Sequence, residues 1–244
     1  MPRSPWLMWE QVHSYLDSCT TMTTASDQTY LLKMAQNSVL GVPTEYDAYG
    51  VVTEAVILHK TPWDRYTIFP QLFIPWNPDD ALDARGSLPD FGLGCYSPIF
   101  LHVRLQGGAE VKRAIPIMRQ LPPTHIVSQD PDVRNSLHVC RFQAEDQAKA
   151  AVKGGLIPNK PLLWLLFVGP YFTVIELGPF TIAQLTTRGH KPNQSGDFVE
   201  SMLISMKKDS EPIARDVYLL GTPDAATKLE YFITTTSVFL PAQV

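Results

Sequence analysis

Cysteine is scarce in this chain of 244 residues, which contains only Cys19, Cys95 and Cys140. An odd number of cysteines without close pairs argues against a disulfide framework and against a zinc site built from paired cysteines. A chain of this length buries enough apolar surface to fold without such cross-links. We therefore expect the fold to depend on an ordinary hydrophobic core.

Long apolar runs are also missing. The longest, residues 162–168, is far too short to cross a bilayer and is typical of a buried strand. The first six residues include two prolines and an arginine, so they do not form the continuous apolar segment of a secretory signal. These absences predict an intracellular protein, cytoplasmic or nuclear, with no membrane partner.

An excess of positive charge is absent too. The chain has 20 Lys and Arg against 24 Asp and Glu, a formal net charge of −4 and a pI of about 5.8. Because non-specific nucleic-acid affinity comes mainly from basic side chains that neutralise phosphates, any nucleic-acid contact must be local, on one basic face. The composition, 45% hydrophobic and 18% charged, is that of a globular protein.

Apolar periodicity and turn residues divide the chain into a helical arm, residues 1–43, and one α/β domain with a C-terminal extension, residues 44–244. Thr44, with Asp47 three residues later, is expected to cap a helix that runs to about Lys60. A strand from Tyr66 to Ile74 follows, and its prolines favour a sheet edge or a bend.

Two extended segments, Pro89–Leu105 and Ala109–Ile115, flank Gln106-Gly107-Gly108, and Gly-Gly between extended runs predicts a hairpin turn. Residues 130–134 are predicted to form a turn, and residues 142–153 a helix that ends at Gly154-Gly155. Strands at residues 162–168 and 172–177 come next. The order of helix, strand, hairpin, helix and strand pair predicts an α/β fold, a mixed sheet flanked by helices.

Charged residues in the predicted hairpin have a regular spacing. Pro89-Asp90 is followed, twenty residues after Asp90, by Glu110-Val111-Lys112. Side chains alternate across a strand, so Glu110 and Lys112 are expected on one face and Val111 on the other, buried. Hairpin pairing can bring Asp90 beside Glu110. Two carboxylates and a backbone carbonyl suit Mg²⁺, and an adjacent lysine can position a water and offset charge on a phosphate.

This pattern resembles the PD-(D/E)XK nuclease superfamily over roughly residues 44–177, and the chain looks like fungal members of it. The resemblance implies a restriction-endonuclease-like core in the order αβββαβ. It also implies hydrolysis of phosphodiesters that depends on Mg²⁺ or Mn²⁺, with nucleic acid, most simply DNA cut by an endonuclease, as partner. Carried over to this chain, Asp90 and Glu110 are metal ligands and Lys112 is the catalytic lysine.

The resemblance adds one position from each flanking helix. Many members contribute a further acid from the first helix, for which Glu54 is the candidate metal ligand, with Glu45 two to three turns earlier on the same helix. Many also carry a glutamine on the helix after the hairpin, followed four residues later by a tyrosine. Gln147 occupies that place, but Ala151 stands four residues on, so the fuller exonuclease-like signature is not met.

Other interpretations stay open. A chain of this composition contains an acid-x-Lys pattern about once by chance, and Asp90 can be a simple turn residue. A nuclease fold can also persist as a catalytically inactive binding or scaffold protein, which the acidic net charge favours, or as a regulatory domain from a larger ancestor. The sequence contains no His-x-x-x-His pair and no Gly-Lys-Ser/Thr loop, which argues against zincin chemistry and against Walker-type nucleotide binding.

Overall fold

The computed structural model describes residues 23–59, 67–71, 74–75, 86–87, 89–97, 102–186 and 216–237. The helices are α1 (Ala25–Ser38), α2 (Glu45–His59), α3 (Thr124–Val127), α4 (Pro131–Lys153), α5 (Ile182–Thr186) and α6 (Pro223–Ser237). The strands are β1 (Thr67–Pro70), β2 (Ile74–Pro75), β3 (Gly86–Ser87), β4 (Phe91–Ser97), β5 (His102–Lys112), β6 (Leu162–Val168), β7 (Tyr171–Leu177) and β8 (Tyr218–Leu219). The expected mixed α/β architecture is confirmed.

Six of these strands form one sheet in the order β1-β4-β5-β6-β7-β8. The β5–β6 pair is parallel, and the other neighbours are antiparallel. A parallel pair needs a crossover, which a 3-10 helix (Pro116–Gln120), α3 and α4 provide. The last residues of β5 and β6 and the first residues of β4 therefore lie at the same end of the sheet.

Helices cover both faces of the sheet. α4 packs against one face of β5 and β6, while α2 and α6 lie on the other face and α1 packs against α2. In the central strand β6, Trp164 and Leu166 belong to the core under α4, and Leu165 and Phe167 to the opposite core. Alternation along a strand that is buried on both sides thus supplies two apolar cores.

The helix predicted after Thr44 is confirmed as α2. The Thr44 amide donates to Asp47 Oδ2 at 2.7 Å, and the Asp47 amide donates to Thr44 Oγ1 at 3.4 Å, which is a capping box. α1 contributes Leu31 and Ala35 to the core beside α2, so this part of the predicted arm packs within the domain. Residues 1–22 of the arm lie outside the described residues.

The predicted strand from Tyr66 to Ile74 is divided between two sheets. β1 is the edge strand of the large sheet, as its prolines indicated, and β2 pairs with β3 in a small sheet against α4. Between them Gln71 has a φ of 47°, a left-handed conformation that turns the chain away from the sheet edge. The bend predicted from proline is therefore real, and it ends β1 early.

The predicted turn at Gly107-Gly108 is wrong. β5 continues without a break through both glycines. Residues 98–101, between β4 and β5, are outside the described part of the chain. A Cβ at Gly107 would lie 2.7 Å from the Leu163 carbonyl oxygen, and one at Gly108 would lie within 3.0 Å of the Trp164 ring. The glycines allow close packing rather than a reversal. The register shifts beside them, which leaves Gln106 as a bulge.

The predicted turn at residues 130–134 is also wrong, because α4 already begins at Pro131. Asp130 Oδ1 accepts hydrogen bonds from the amides of Asp132 at 3.0 Å and Val133 at 3.1 Å. Asp followed by Pro is typical of a turn and equally of a helix start. Proline has no backbone N–H, but the first residue of a helix has no acceptor within the helix for that group, so no hydrogen bond is lost. The predicted end of this helix, and the two strands after it, are confirmed.

Within the described residues, no helix is both long and apolar enough to span a membrane.

Candidate functional site

Glu110 and Lys112 end β5 on the face that packs against α4, as predicted from strand alternation. Val111, between them, is 0% exposed and belongs to the opposite core. The Lys112 carbonyl accepts a hydrogen bond of 2.7 Å from the Gly169 amide, which ties the strand end to the β6–β7 turn. The two charged side chains therefore project from a rigid, paired strand.

Asp90 immediately precedes β4, and Phe91 is the register partner of Ala109, so Asp90 falls next to Glu110. Its Oδ2 accepts a hydrogen bond of 2.6 Å from the Val111 amide, and its Oδ1 accepts one of 2.6 Å from the Tyr49 hydroxyl. Asp90 also acts on Glu110 electrostatically, because its charge raises the pKa of the Glu110 carboxyl. Antiparallel pairing thus brings together the two carboxylates that the sequence spaced twenty residues apart.

Glu110 is the most enclosed charged group of the site, with 2% of its surface exposed. The Gln147 amide nitrogen, from α4, donates to Glu110 Oε1, and Lys112 Nζ lies 3.6 Å from Oε2. Burial, and after it the Asp90 charge, raises the pKa of Glu110 to about 8, against the opposing effects of Lys112 and Gln147. Burial is the largest effect, so Glu110 holds a proton at neutral pH.

Lys112 lies between acids from two layers of the fold, because its Nζ is also 3.9 Å from Glu45 Oε1. Burial alone lowers the pKa of the ammonium group, but nearby acidic groups, Glu110 foremost, outweigh it and raise the pKa above its usual value. Lys112 therefore stays protonated at neutral pH. A permanently charged lysine suits electrostatic stabilisation of a phosphate and does not suit proton abstraction.

From α2, the acid in contact with Lys112 is Glu45, whereas the sequence pattern favoured Glu54 as the candidate ligand. Glu54 lies nine residues after Glu45 on α2 (54 − 45), about 180° around the helix and about 13.5 Å along its axis. Among the described residues, no hydrogen bond or ion pair links Glu54 to Asp90, Glu110 or Lys112. The rotation of α2 on the sheet, which places Val52 and Val56 in the core, turns Glu54 away.

Tyr49 is a site residue that sequence reasoning missed. It follows Glu45 by four residues, so the two share one face of α2, and that spacing was the available signal. Its ring packs edge-on against Phe91 with centroids 5.3 Å apart. Burial and the Asp90 hydrogen bond raise the pKa of the phenol, which keeps the hydroxyl protonated as a donor.

Among the described residues, no cluster of three or more His, Cys, Asp or Glu side chains forms a ready metal cage. Asp90 and Glu110 supply two adjacent carboxylates, and their oxygens keep lone pairs beyond those used by the contacts above. Two carboxylates with waters in the remaining positions fit Mg²⁺, which rarely occupies an all-protein cage. The donor set therefore fits a hard, largely hydrated cation.

No protein-family model, curated protein or solved structure matched the chain.

Proposed function

We propose that this chain is a divalent-metal-dependent phosphodiesterase of the PD-(D/E)XK type that hydrolyses nucleic acid, with DNA as the expected substrate. One observation carries the proposal. Asp90, Glu110 and Lys112 meet at one end of the sheet, with Gln147 bonded to Glu110. A chance acid-x-Lys pattern has no reason to acquire a second carboxylate from the neighbouring strand and a glutamine from the covering helix.

The order of elements supports the same proposal. α2, β1, β4, β5, α4 and β6 follow one another as αβββαβ, with the small β2–β3 sheet inserted after β1. The acid and the lysine of the pattern stand on β5, the third of these three strands. The crossover helix α4 supplies the glutamine.

Each side chain has a defined task in the proposed reaction. Asp90 and Glu110 would hold Mg²⁺ or Mn²⁺, which supplies an activated water and stabilises the leaving oxygen. The Lys112 ammonium offsets the negative charge that builds on the phosphate, and Glu45 holds that ammonium at the site. Gln147 orients Glu110, and Tyr49 with the Val111 amide orients Asp90.

A second candidate is a catalytically inactive binding or scaffold protein on the same fold. The burial of Glu110, with its raised pKa, favours it, because a neutral carboxyl group binds a cation only after it loses its proton. The net charge of −4 also weakens any non-specific hold on DNA. The two candidates differ in one measurable property, which is hydrolysis in the presence of a divalent cation.

The deciding experiment measures nicking of a supercoiled plasmid and cleavage of single-stranded DNA and RNA at low salt, with Mg²⁺ or Mn²⁺, alongside calorimetric titration of each cation. Lys112→Ala is expected to abolish cleavage and to retain cation binding. Lys149→Ala, which removes a lysine paired with Glu145 on α4, is the matched control and is expected to cleave normally. A wild-type protein that binds neither cation and cleaves none of the substrates would establish the scaffold role.

A further inference from the structure

The two acids in contact with Lys112 hold its ammonium group by charge and not by short hydrogen bonds. Lys112 Nζ lies 3.6 Å from Glu110 Oε2 and 3.9 Å from Glu45 Oε1. Both distances exceed the range of about 2.7–3.2 Å that is typical of a hydrogen bond from nitrogen to oxygen. An ammonium group has three donors, and neither acid takes one of them up fully. A further anion can therefore bind Lys112 without the loss of a short hydrogen bond.

The same two acids differ in their exposure to solvent. The Glu110 side chain is 2% exposed, whereas that of Glu45 is 45% exposed and that of Lys112 is 22% exposed. Glu110 thus lies on the enclosed side of the ammonium group, and Glu45 lies on the side that solvent reaches. An anion that approaches Lys112 from solvent therefore meets the Glu45 carboxylate.

The packing of α2 places Glu45 at this position. Glu45 is the first residue of the helix, and the capping box of Thr44 and Asp47 determines where the helix begins. One turn later, Tyr49 is hydrogen-bonded to Asp90. The helix end that orients one carboxylate of the site thus presents another carboxylate to Lys112.

Acids outnumber bases around this ammonium group. Besides Glu45 and Glu110, the charge of Asp90 also acts on Lys112. Three acids therefore act on one positive charge, and negative carboxylates repel a phosphate group at short range. A divalent cation on Asp90 and Glu110 adds positive charge beside them and offsets this repulsion. Phosphate binding at Lys112 is therefore expected to depend on the cation.

We propose that Glu45 is a specificity-determining residue that excludes phosphate groups from Lys112 until a divalent cation is bound at Asp90 and Glu110. This inference rests on the proposed function and gives the condition under which its substrate binds. The alternative is that Glu45 only holds Lys112 in place. The two roles predict opposite effects, because removal of a competing charge strengthens phosphate binding and removal of a support weakens it.

The test measures calorimetric binding of thymidine 5′-monophosphate, which contains no phosphodiester to cleave, in EDTA and in Mn²⁺, with thymidine as the phosphate-free control. Wild type is expected to bind the nucleotide more tightly in Mn²⁺. In EDTA, Glu45→Gln should bind it about fivefold more tightly than wild type, the size of one partly exposed charge interaction. Adding Lys112→Ala to Glu45→Gln should remove this gain. Glu230→Gln, which removes the same charge from α6, should bind as wild type.

Equal or weaker binding by Glu45→Gln in EDTA would overturn the inference, as would the same gain in Glu230→Gln or a gain that persists without Lys112. Wild-type binding that is no tighter in Mn²⁺ would overturn it too. Cleavage, assayed separately, keeps the two proposals distinguishable. A gain that depends on Lys112, in a protein that cleaves nothing, would reject the phosphodiesterase and retain this role of Glu45. Cleavage by wild type without any gain in Glu45→Gln would do the reverse.

Discussion

The hydroxyl of Tyr49 donates a hydrogen bond of 2.6 Å to Oδ1 of Asp90 and so joins α2 to the first residue before β4. The Val111 amide occupies the other oxygen of the same carboxylate at 2.6 Å. Both donors come from elements whose apolar residues are buried in one core, under α2 and α6. The orientation of Asp90 is therefore fixed by the packing of the domain and does not depend on a bound cation.

Tyr49→Phe tests this orientation, because it removes the hydroxyl and keeps the ring against Phe91. Loss of one hydrogen bond to a charged group should lower the free energy of unfolding by about 1.5–3 kcal/mol. Loss of a group that orients a metal ligand should weaken Mn²⁺ binding about 10- to 100-fold in calorimetry. Tyr46→Phe removes an exposed hydroxyl and should change neither quantity. A Tyr49→Phe protein with wild-type Mn²⁺ affinity would show that Asp90 needs no such support.

Glu110→Gln should remove a pH dependence of stability. The carboxyl pKa is about 8 in the folded protein and 4.5 in the unfolded chain, so only the folded state holds the proton between these values. The free energy of unfolding should therefore fall as pH rises through this window, by up to about 1.4 kcal/mol per unit. Urea denaturation at pH 5, 7 and 9 measures the slope. For Glu110→Gln the free energy of unfolding should depend less on pH, and it should exceed the wild-type value most at pH 9. An unchanged slope would mean that Glu110 is ionised throughout.

Cation binding should release this proton, if Glu110 is the ligand we propose. Below pH 8 the bound cation must displace about one proton, so the affinity for Mn²⁺ should rise with pH up to about pH 8 and level off at higher pH. Calorimetry in two buffers of different ionisation enthalpy counts the protons released. Glu110→Gln should bind Mn²⁺ more weakly and release none. Wild-type affinity that is constant from pH 6 to 9 would exclude Glu110 from the ligand set.

Gly108→Ala should destabilise the domain by about 1–3 kcal/mol, because the added Cβ meets the Trp164 ring closer than 3.0 Å and Trp164 is fully buried. Gly50→Ala is the matched substitution. Gly50 lies in the interior of α2 with nothing within 4 Å of the added Cβ, so the change should stabilise by about 0.5–1 kcal/mol. Thermal denaturation of both variants measures the contrast. Equal tolerance of the two changes would restore the turn interpretation of Gly107-Gly108.

Local patterns predicted the parts of the fold that local chemistry determines. Alternation along β5 assigned Glu110 and Val111 to opposite faces, and Thr44 with Asp47 marked the start of α2. Gly107-Gly108 was misinterpreted because glycine serves equally in a turn and under a large side chain. The distinction depends on Trp164, more than fifty residues away in the chain.

The site was predictable to the same extent. Asp90, Glu110, Lys112 and Gln147 came from spacing and from a family resemblance, and the structure brings them together. The choice between Glu45 and Glu54 depends on how α2 is rotated against the sheet, which the packing of Val52 and Val56 decides. Tyr49 was missed because its partner, Asp90, is forty-one residues away in the chain. The two residues come into contact only when α2 packs against the sheet.

The crossover between β5 and β6 determines when this site can form during synthesis. β4 and β5 can pair as soon as both leave the ribosome, but β6 follows only after α4 is complete. Until then β5 has a bare edge, and Glu110 lacks both Gln147 and β6, which enclose it in the folded domain. A nascent chain therefore carries both carboxylates before it can enclose them, and burial of Glu110 requires that β6 has joined the sheet and that α4 has packed against it.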